Sequence, residues 1–322
     1  MLSVHLESGR LEVRRQSLPK ISQGFARIRL LAGGICSTDL ELQRGYYGFS
    51  GTPGHEFVGE VVETAGVEGE HWIGKRVAGE INLACGRCEW CARGLGRHCP
   101  RRTVLGIVKH PGAFREFLTL PVRNLHRVPD SLSMKEAVFI EPVAAACEIL
   151  DQIKIAGGAR IAVLGDGKLG LLVAQVLQAR GARVHLLGRH REKMRLVEAA
   201  GITTELLPKK LPPAAWPIVV DATGSAEGLR TAIAICEPRG TVVMKSTIHG
   251  LVPVDTAPAI VNEITLVGSR CGQFEPAIRL LASGKVRVDR LISDEFPLQR
   301  APEAFARAAI KGVLKVLLNP PG

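Results

Sequence analysis

No uninterrupted apolar run in the 322 residues reaches the roughly 20 that a membrane-spanning helix needs, so a helical membrane protein is not expected. The opening stretch MLSVHLESGRLEV also lacks the basic and then apolar order of a secretion signal. The expectation is a cytoplasmic protein whose cysteines stay reduced. Aromatic residues are scarce at 4%, and no long basic tract occurs. The net charge of +11 is therefore dispersed and little interleaved with aromatics, a pattern that argues against nucleic-acid binding. Internal repeats and low-complexity segments are missing too. A 46% apolar and 23% charged composition is that of a chain folded throughout, and the length suffices for two cores.

Up to about Asp130 the sequence carries short alternating runs, Ala26 to Leu31, Glu60 to Glu63 and Arg76 to Glu80, broken by Gly and Pro. They predict a β-rich domain. From Ala159 the pattern becomes strand, glycine turn and helix: RIAVLG, DGKLG, LLVAQVLQAR, RVHLLG and later PIVVDATG. This predicts a doubly wound parallel sheet, an α/β architecture, with PKKLPPAAWP as a loop between its elements. The last fifty residues, with FEPAIRLLASG, DRLISDEF, a helix from Pro302 and the apolar strand VLKVLLN, are too few to fold alone. They are expected to return to the first domain, so that residues 1–142 and 272–322 enclose an inserted domain of 143–271.

Cys85, Cys88, Cys91 and Cys99 form CGRCEWCARGLGRHC, with two residues between each of the first three and seven before the fourth. Four thiolates so close in sequence make a closed tetrahedral set, the chemistry of a structural zinc with no open position for substrate. His98 inside the loop reads as a solvated neighbour, and Cys147, Cys236 and Cys271 as ordinary thiols.

A second, mixed set precedes and follows that lobe. Cys36 lies in GGICSTDLEL, His55 and Glu56 in TPGHEFVGE, and Glu141 in FIEPVAAAC at the start of an apolar helix. Sulfur, nitrogen and oxygen ligands with one vacancy are the form of a catalytic zinc site. For Glu141 alone, a charge favoured by the helix dipole is the competing explanation.

Gly165, Gly167 and Gly170, with Lys168 and Leu169, make GDGKLG between an apolar strand and an apolar helix. In that setting GxGxxG binds a dinucleotide: the first glycine turns the chain, the second admits the pyrophosphate, and the third lets helix and strand pack. A carboxylate that would favour NAD(H) is missing at the end of the next strand, where RVHLL runs into Gly188, Arg189, His190 and Arg191. Arg189 can offer a planar fork of donors to a 2′-phosphate, so NADP(H) is expected over NAD(H).

In order, GGICSTD, GHEFVGE, the four-cysteine lobe, FIEPVAAAC, GDGKLG and VVDATGS resemble the zinc-containing medium-chain dehydrogenase/reductase superfamily across essentially the whole chain. The resemblance implies a GroES-like catalytic domain, an inserted Rossmann domain, and two zinc ions per chain, one catalytic and one structural. Glu141, where liver-type alcohol dehydrogenases carry cysteine, and Asp39 make the chain more similar to the polyol, threonine and glucose dehydrogenases. By this resemblance Cys36 and His55 bind the catalytic zinc, with Glu56 and Glu141 as alternatives for direct ligation. Thr38 matches the hydroxyl that passes the substrate proton outward, and Glu41 stands where many members continue that relay with histidine. Thr223, Gly224 and Ser225 match a loop beside the nicotinamide. Lys315 and Arg270 are possible phosphate contacts, and Tyr46, Tyr47, Phe49 and Ile81 are possible pocket residues.

The reaction expected is hydride transfer between a small alcohol, polyol or sugar and NADP(H), interconverting alcohol and carbonyl, in a homo-oligomer such as the dimers and tetramers usual among relatives. Two other readings stay open. One is a zinc-free quinone or enone reductase of the same superfamily, and the other is a non-catalytic NADP(H)-binding sensor.

Overall fold

The computed structural model describes residues 1–209, 211–247 and 252–321. Lys210, in the predicted PKKLPPAAWP loop, lies outside the described residues. The chain divides into two compact units, Met1–Glu141 with the segment from Ile292 onward, and Pro142–Leu291.

The first unit is built on a seven-stranded sheet ordered Leu125–Arg127, Arg76–Gly79, Glu56–Thr64, Phe25–Gly34, Lys315–Asn319 and Ile292–Pro297, with Phe117–Pro121 also pairing with Phe25–Gly34. The alternating sequence of Phe25–Gly34 explains its central place. Ala26, Ile28 and Leu30 are buried on one face while Arg27 and Arg29 reach out to Glu63 and Glu60. The C-terminal strand is antiparallel to it, with Leu317 opposite Gly34 and Leu318 opposite Gly33. Gly34 also pairs with Glu56 on its other side. Three distant segments of chain thus meet at one glycine. The helix Ala301–Ala308 closes the core beside this sheet, where Phe305 meets Phe114 edge to face at 5.9 Å.

The second unit holds a six-stranded parallel sheet in the order Thr203–Leu206, Arg183–Gly188, Arg160–Leu164, Trp216–Asp221, Cys236–Met244 and Thr265–Gly268. Strand order reverses beside Arg160–Leu164, which places the GDGKLG turn at the topological switch point. Ile161, Ala162, Val163 and Leu164 are all buried, as a strand covered on both faces requires. The helix Lys168–Ala179 starts directly from the turn. A Cβ on Gly170 would lie 1.9 Å from the Gly165 carbonyl oxygen, so that helix packs against the turn only through a bare Cα.

One boundary differs from the expectation. The helix Phe274–Ala282 and the segment to Leu291 belong to the second unit, so the chain rejoins the first at Ile292 rather than at 272. Gln175, buried in a largely apolar helix, explains the attachment. Its amide donates to the Arg287 carbonyl (3.1 Å) and accepts from the Arg287 N–H (2.8 Å).

Replacing Gly170 with Ala should force helix and turn apart and lower the free energy of unfolding by about 1–3 kcal/mol, read from the shift in denaturant midpoint.

Candidate metal centres and cofactor site

Asp39 organises the mixed ligand set. Cys36 caps the helix Ser37–Gln43, and Asp39, in its first turn, accepts the Cys36 N–H on Oδ2 (2.8 Å). Its Oδ1 accepts the N–H of Gly54 (3.1 Å) and lies 3.4 Å from Nδ1 of His55. This fully buried carboxylate therefore ties the cysteine segment to the histidine segment. Donor atoms of Cys36, His55 and Glu56 converge within 4.8 Å of one another. Nδ1 of His55 is buried without a well-aligned hydrogen-bond partner. Burial opposes charge on the His55 imidazole, yet the negative groups of Asp39 and Cys36 hold its pKa well above the ordinary value. Such an electronegative pocket, with an S, N and O donor set, fits a divalent metal ion. Glu141 is not in this converging set among the described residues.

Lys315 takes a different place from the one expected. Rather than a phosphate contact, it is a fully buried partner of the Glu56 carboxylate, its ammonium 5.5 Å from the centre of the Phe139 ring. Burial disfavours its charge, but Glu56, Cys36 and Glu141 outweigh that and raise its pKa. Sheet register decides this arrangement. A Cβ on Gly34 would come within 2.7 Å of Glu56 Oε2 and 3.2 Å of Lys315 Cδ, so the pair fits because position 34 has no side chain.

Thr38 lies on the same short helix, with Oγ1 3.7 Å from Cys36 Sγ, and Glu41 follows one turn later, paired with Arg44. The Tyr46 and Tyr47 rings meet at a 40° tilt with centres 4.1 Å apart, Tyr47 being exposed.

In the cysteine lobe the sulfurs of Cys88 and Cys91 are 3.4 Å apart, those of Cys88 and Cys99 3.7 Å, and those of Cys85 and Cys91 3.9 Å. A zinc with sulfurs at about 2.3 Å requires separations of about 3.8 Å, so the lobe fits that ion. The Arg87 N–H directed at Cys85 lowers its thiol pKa to about 6, favouring the thiolate that a metal needs. Cys147 and Cys236 behave oppositely, pushed up to about 12 and about 11 by burial.

In the second unit a cavity of about 250 Å³ opens at the glycine turn, lined by Gly165, Gly167, Gly188, Arg189 and Thr223 among others. A Cβ on Gly167 would meet nothing within 4 Å, which leaves room above the N-terminus of the helix Lys168–Ala179 for an anionic group. Gly170 serves packing instead, and Lys168, Leu169, Gly224 and Arg270 are not among the described residues lining the cavity. The loop after Trp216–Asp221 is held from within: Thr223 donates its hydroxyl to Asp221 (2.7 Å), the Gly224 N–H bonds Ser246 (2.8 Å), and Ser225 caps the following helix. The lining residues that the sequence reading did not assign to the cofactor site include three with titratable side chains, Asp166, His190 and Glu227. An aspartate inside a glycine loop was the available signal for the first.

The geometry agrees with the comparisons. Residues 22–130 match the family model of the alcohol dehydrogenase GroES-like domain, and residues 169–283 match that of the zinc-binding dehydrogenases. The chain belongs to the zinc-containing medium-chain dehydrogenase/reductase superfamily. It is 32% identical to an L-threonine 3-dehydrogenase of Streptomyces avermitilis over 94% of this chain and 93% of that one. With a sorbitol dehydrogenase of Halalkalibacterium halodurans it shares 26% identity over 97% and 96%. A solved zinc-binding dehydrogenase from Sinorhizobium meliloti, bound to NADP, superposes with a TM-score of 0.89 at 30% identity, covering 99% of both chains. This superfamily member is thus an alcohol dehydrogenase-type oxidoreductase that uses a nicotinamide cofactor.

Two measurements test the site. Asp39→Ala leaves two backbone N–H groups without their acceptor and should cost about 2 kcal/mol or more in unfolding free energy, with zinc lost on dialysis, read by denaturant titration and metal analysis. The Asp166 carboxyl is held below its ordinary range: burial alone would raise it, but the His190 ring and the N–H groups of His190 and Arg189 outweigh that. A depressed carboxyl contributes stability above its unfolded pKa and loses it as pH falls through the folded value. Asp166→Asn should therefore be less stable than the parent at pH 7, the gap closing below about pH 4 in paired denaturant midpoints.

Proposed function

We propose that the protein is an NADP(H)-dependent zinc alcohol dehydrogenase that oxidises a secondary hydroxyl of a small polyol, sugar or related alcohol, or reduces the matching carbonyl. The convergence of Cys36, His55 and Glu56 carries this reading, because a zinc-free reductase or a sensor has no use for such a set. Cys36, His55 and Glu56 are assigned to the catalytic zinc, with Glu141 outside the converging donors, and Cys85, Cys88, Cys91 and Cys99 to the structural zinc.

When bound, the zinc supplies Lewis acidity toward the substrate oxygen and the nicotinamide accepts or returns the hydride. The residues of the chain do the rest. Thr38 would accept the hydrogen bond of the substrate hydroxyl and relay its proton, passing its own hydroxyl proton on toward solvent, and Glu41 follows one helical turn later on the same helix. Lys315 pairs with the Glu56 carboxylate and so would offset part of the charge that this carboxylate offers to a metal. Gly165 and Gly167 admit the pyrophosphate at a helix N-terminus, and Thr223 with its Asp221 anchor shapes the nicotinamide loop.

Support for NADP(H) comes from Gly188 in place of a strand-end carboxylate, from Arg189 on the cavity wall, and from the NADP found in the Sinorhizobium protein. Support for the substrate class comes from the sorbitol and threonine dehydrogenases among the relatives. No helix of the described residues is long and apolar enough to cross a membrane, and cysteines gathered in metal-type sets suit a reducing, cytoplasmic setting. A homo-oligomer, dimer or tetramer, is supported by exposed Ile260 and Val261 just before the edge strand Thr265–Gly268.

The deciding experiment is metal analysis with cofactor titration of the parent and of Cys36→Ser. We expect the variant to keep the lobe zinc and its fold, lose the second zinc, and lose at least about a hundredfold in turnover. NADPH should bind the parent more tightly than NADH. One zinc in both proteins would instead favour the zinc-free reductase.

A further inference from the structure

The cavity at the glycine turn contains a carboxylate delivered by the turn itself. Asp166 Oδ2 accepts the N–H groups of Arg189 (2.7 Å) and His190, and the His190 ring Nδ1 stands 3.1 Å from Oδ2 and 3.2 Å from Oδ1. The side chain is nearly buried, yet it lines the cavity. In dinucleotide-binding sheets the carboxylate that accepts the adenosine 2′-hydroxyl stands at the end of the second strand. Here that strand ends at Gly188, and a Cβ on Gly188 would lie 2.7 Å from both Cβ and Oδ2 of Asp166. A strand-end side chain and the Asp166 carboxylate therefore compete for one volume, and Asp166 has it.

The surrounding charges sharpen the point. Arg189 Nη2 lies 3.2 Å from Glu227 Oε2, contributed by the helix Ala226–Ile235 that borders the same cavity. The arginine expected to bind a 2′-phosphate thus has a carboxylate partner already, while Asp166 holds the two backbone N–H groups that would otherwise face an anion.

We propose that Asp166 is the residue that sets discrimination between the two nicotinamide dinucleotides, standing in for the missing strand-end carboxylate. Its charge opposes a 2′-phosphate and its less engaged oxygen accepts a 2′-hydroxyl, so the preference that Arg189 confers on NADP(H) is a modest one. This rests on the reading of the cavity as the adenosine end of the cofactor site. Asn at position 166 keeps one oxygen for the Arg189 and His190 N–H groups and removes the charge. The variant therefore separates charge from scaffold.

The test is calorimetric titration of the full-length, zinc-loaded protein with 2′,5′-ADP and 5′-ADP, fragments that report the adenosine end without turnover. For Asp166→Asn we expect 2′,5′-ADP to bind about tenfold more tightly, the size of one partly screened charge contact, and 5′-ADP to bind no more tightly than before. Asp166→Ser, which retains an acceptor hydroxyl, should shift the ratio in the same direction and serves if the first variant fails to fold. An unchanged ratio of the two affinities in a folded variant overturns the proposal and leaves Asp166 a purely structural clamp. Failure of both fragments to bind the parent would overturn the cofactor-site reading itself. A parent that prefers 5′-ADP while the variant shifts toward 2′,5′-ADP would refute the NADP(H) assignment and uphold the role of Asp166.

Discussion

A buried carboxylate with two backbone donors holds the candidate metal site of the first unit in place. Asp39 joins the N-terminus of the helix Ser37–Gln43 to Gly54, and so brings Cys36 and His55 together although eighteen residues lie between them. A charge buried to this degree is tolerable only when its lone pairs are used, and here they meet two N–H groups and face an imidazole. Without that tie each ligand would sit on an independent loop. With it, both are carried on a frame whose other members are sheet strands.

The same economy operates at Glu56. Its strand lies beside Phe25–Gly34, the C-terminal strand lies on the other side, and the bare Gly34 between them leaves room for Lys315 to reach across. The pair is buried, so neither partner can be removed without stranding the other's charge. A strand near the end of the chain thereby sets the electrostatics around donor groups that come from its beginning. In the second unit, Asp166 does comparable work by binding the start of the helix Arg191–Glu198 to the glycine turn.

Much of the architecture was legible in the residues. Alternation in Ala26 to Leu31 and Glu60 to Glu63 marked strands that the sheet contains, and the buried run RIAVL before GDGKLG marked the first strand of the parallel sheet. These signals are local, since a period of two or a glycine turn is written in a few adjacent positions. The four cysteines were equally plain, because all the sulfurs of the lobe fall within fifteen residues. Gln175 and its grip on Arg287 were not, which is why the return to the first unit was placed twenty residues early. A buried glutamine in a largely apolar helix says that a partner exists without saying where.

What the sequence determined by itself was therefore the inventory: which strands and helices form, which residue types can bind zinc, and where a dinucleotide turn lies. Tertiary structure alone decided who meets whom. It set Lys315 on Glu56 instead of on a phosphate, left Glu141 outside the converging donors, and filled the strand-end position of Gly188 with Asp166. The physical reason is the same in each case. A side chain's charge and shape are encoded at one position, but the volume it may occupy is fixed by residues elsewhere in the chain, 22 positions away for Asp166 and Gly188 (188 − 166) and 259 for Lys315 and Glu56, by sheet register and by the glycines that leave space.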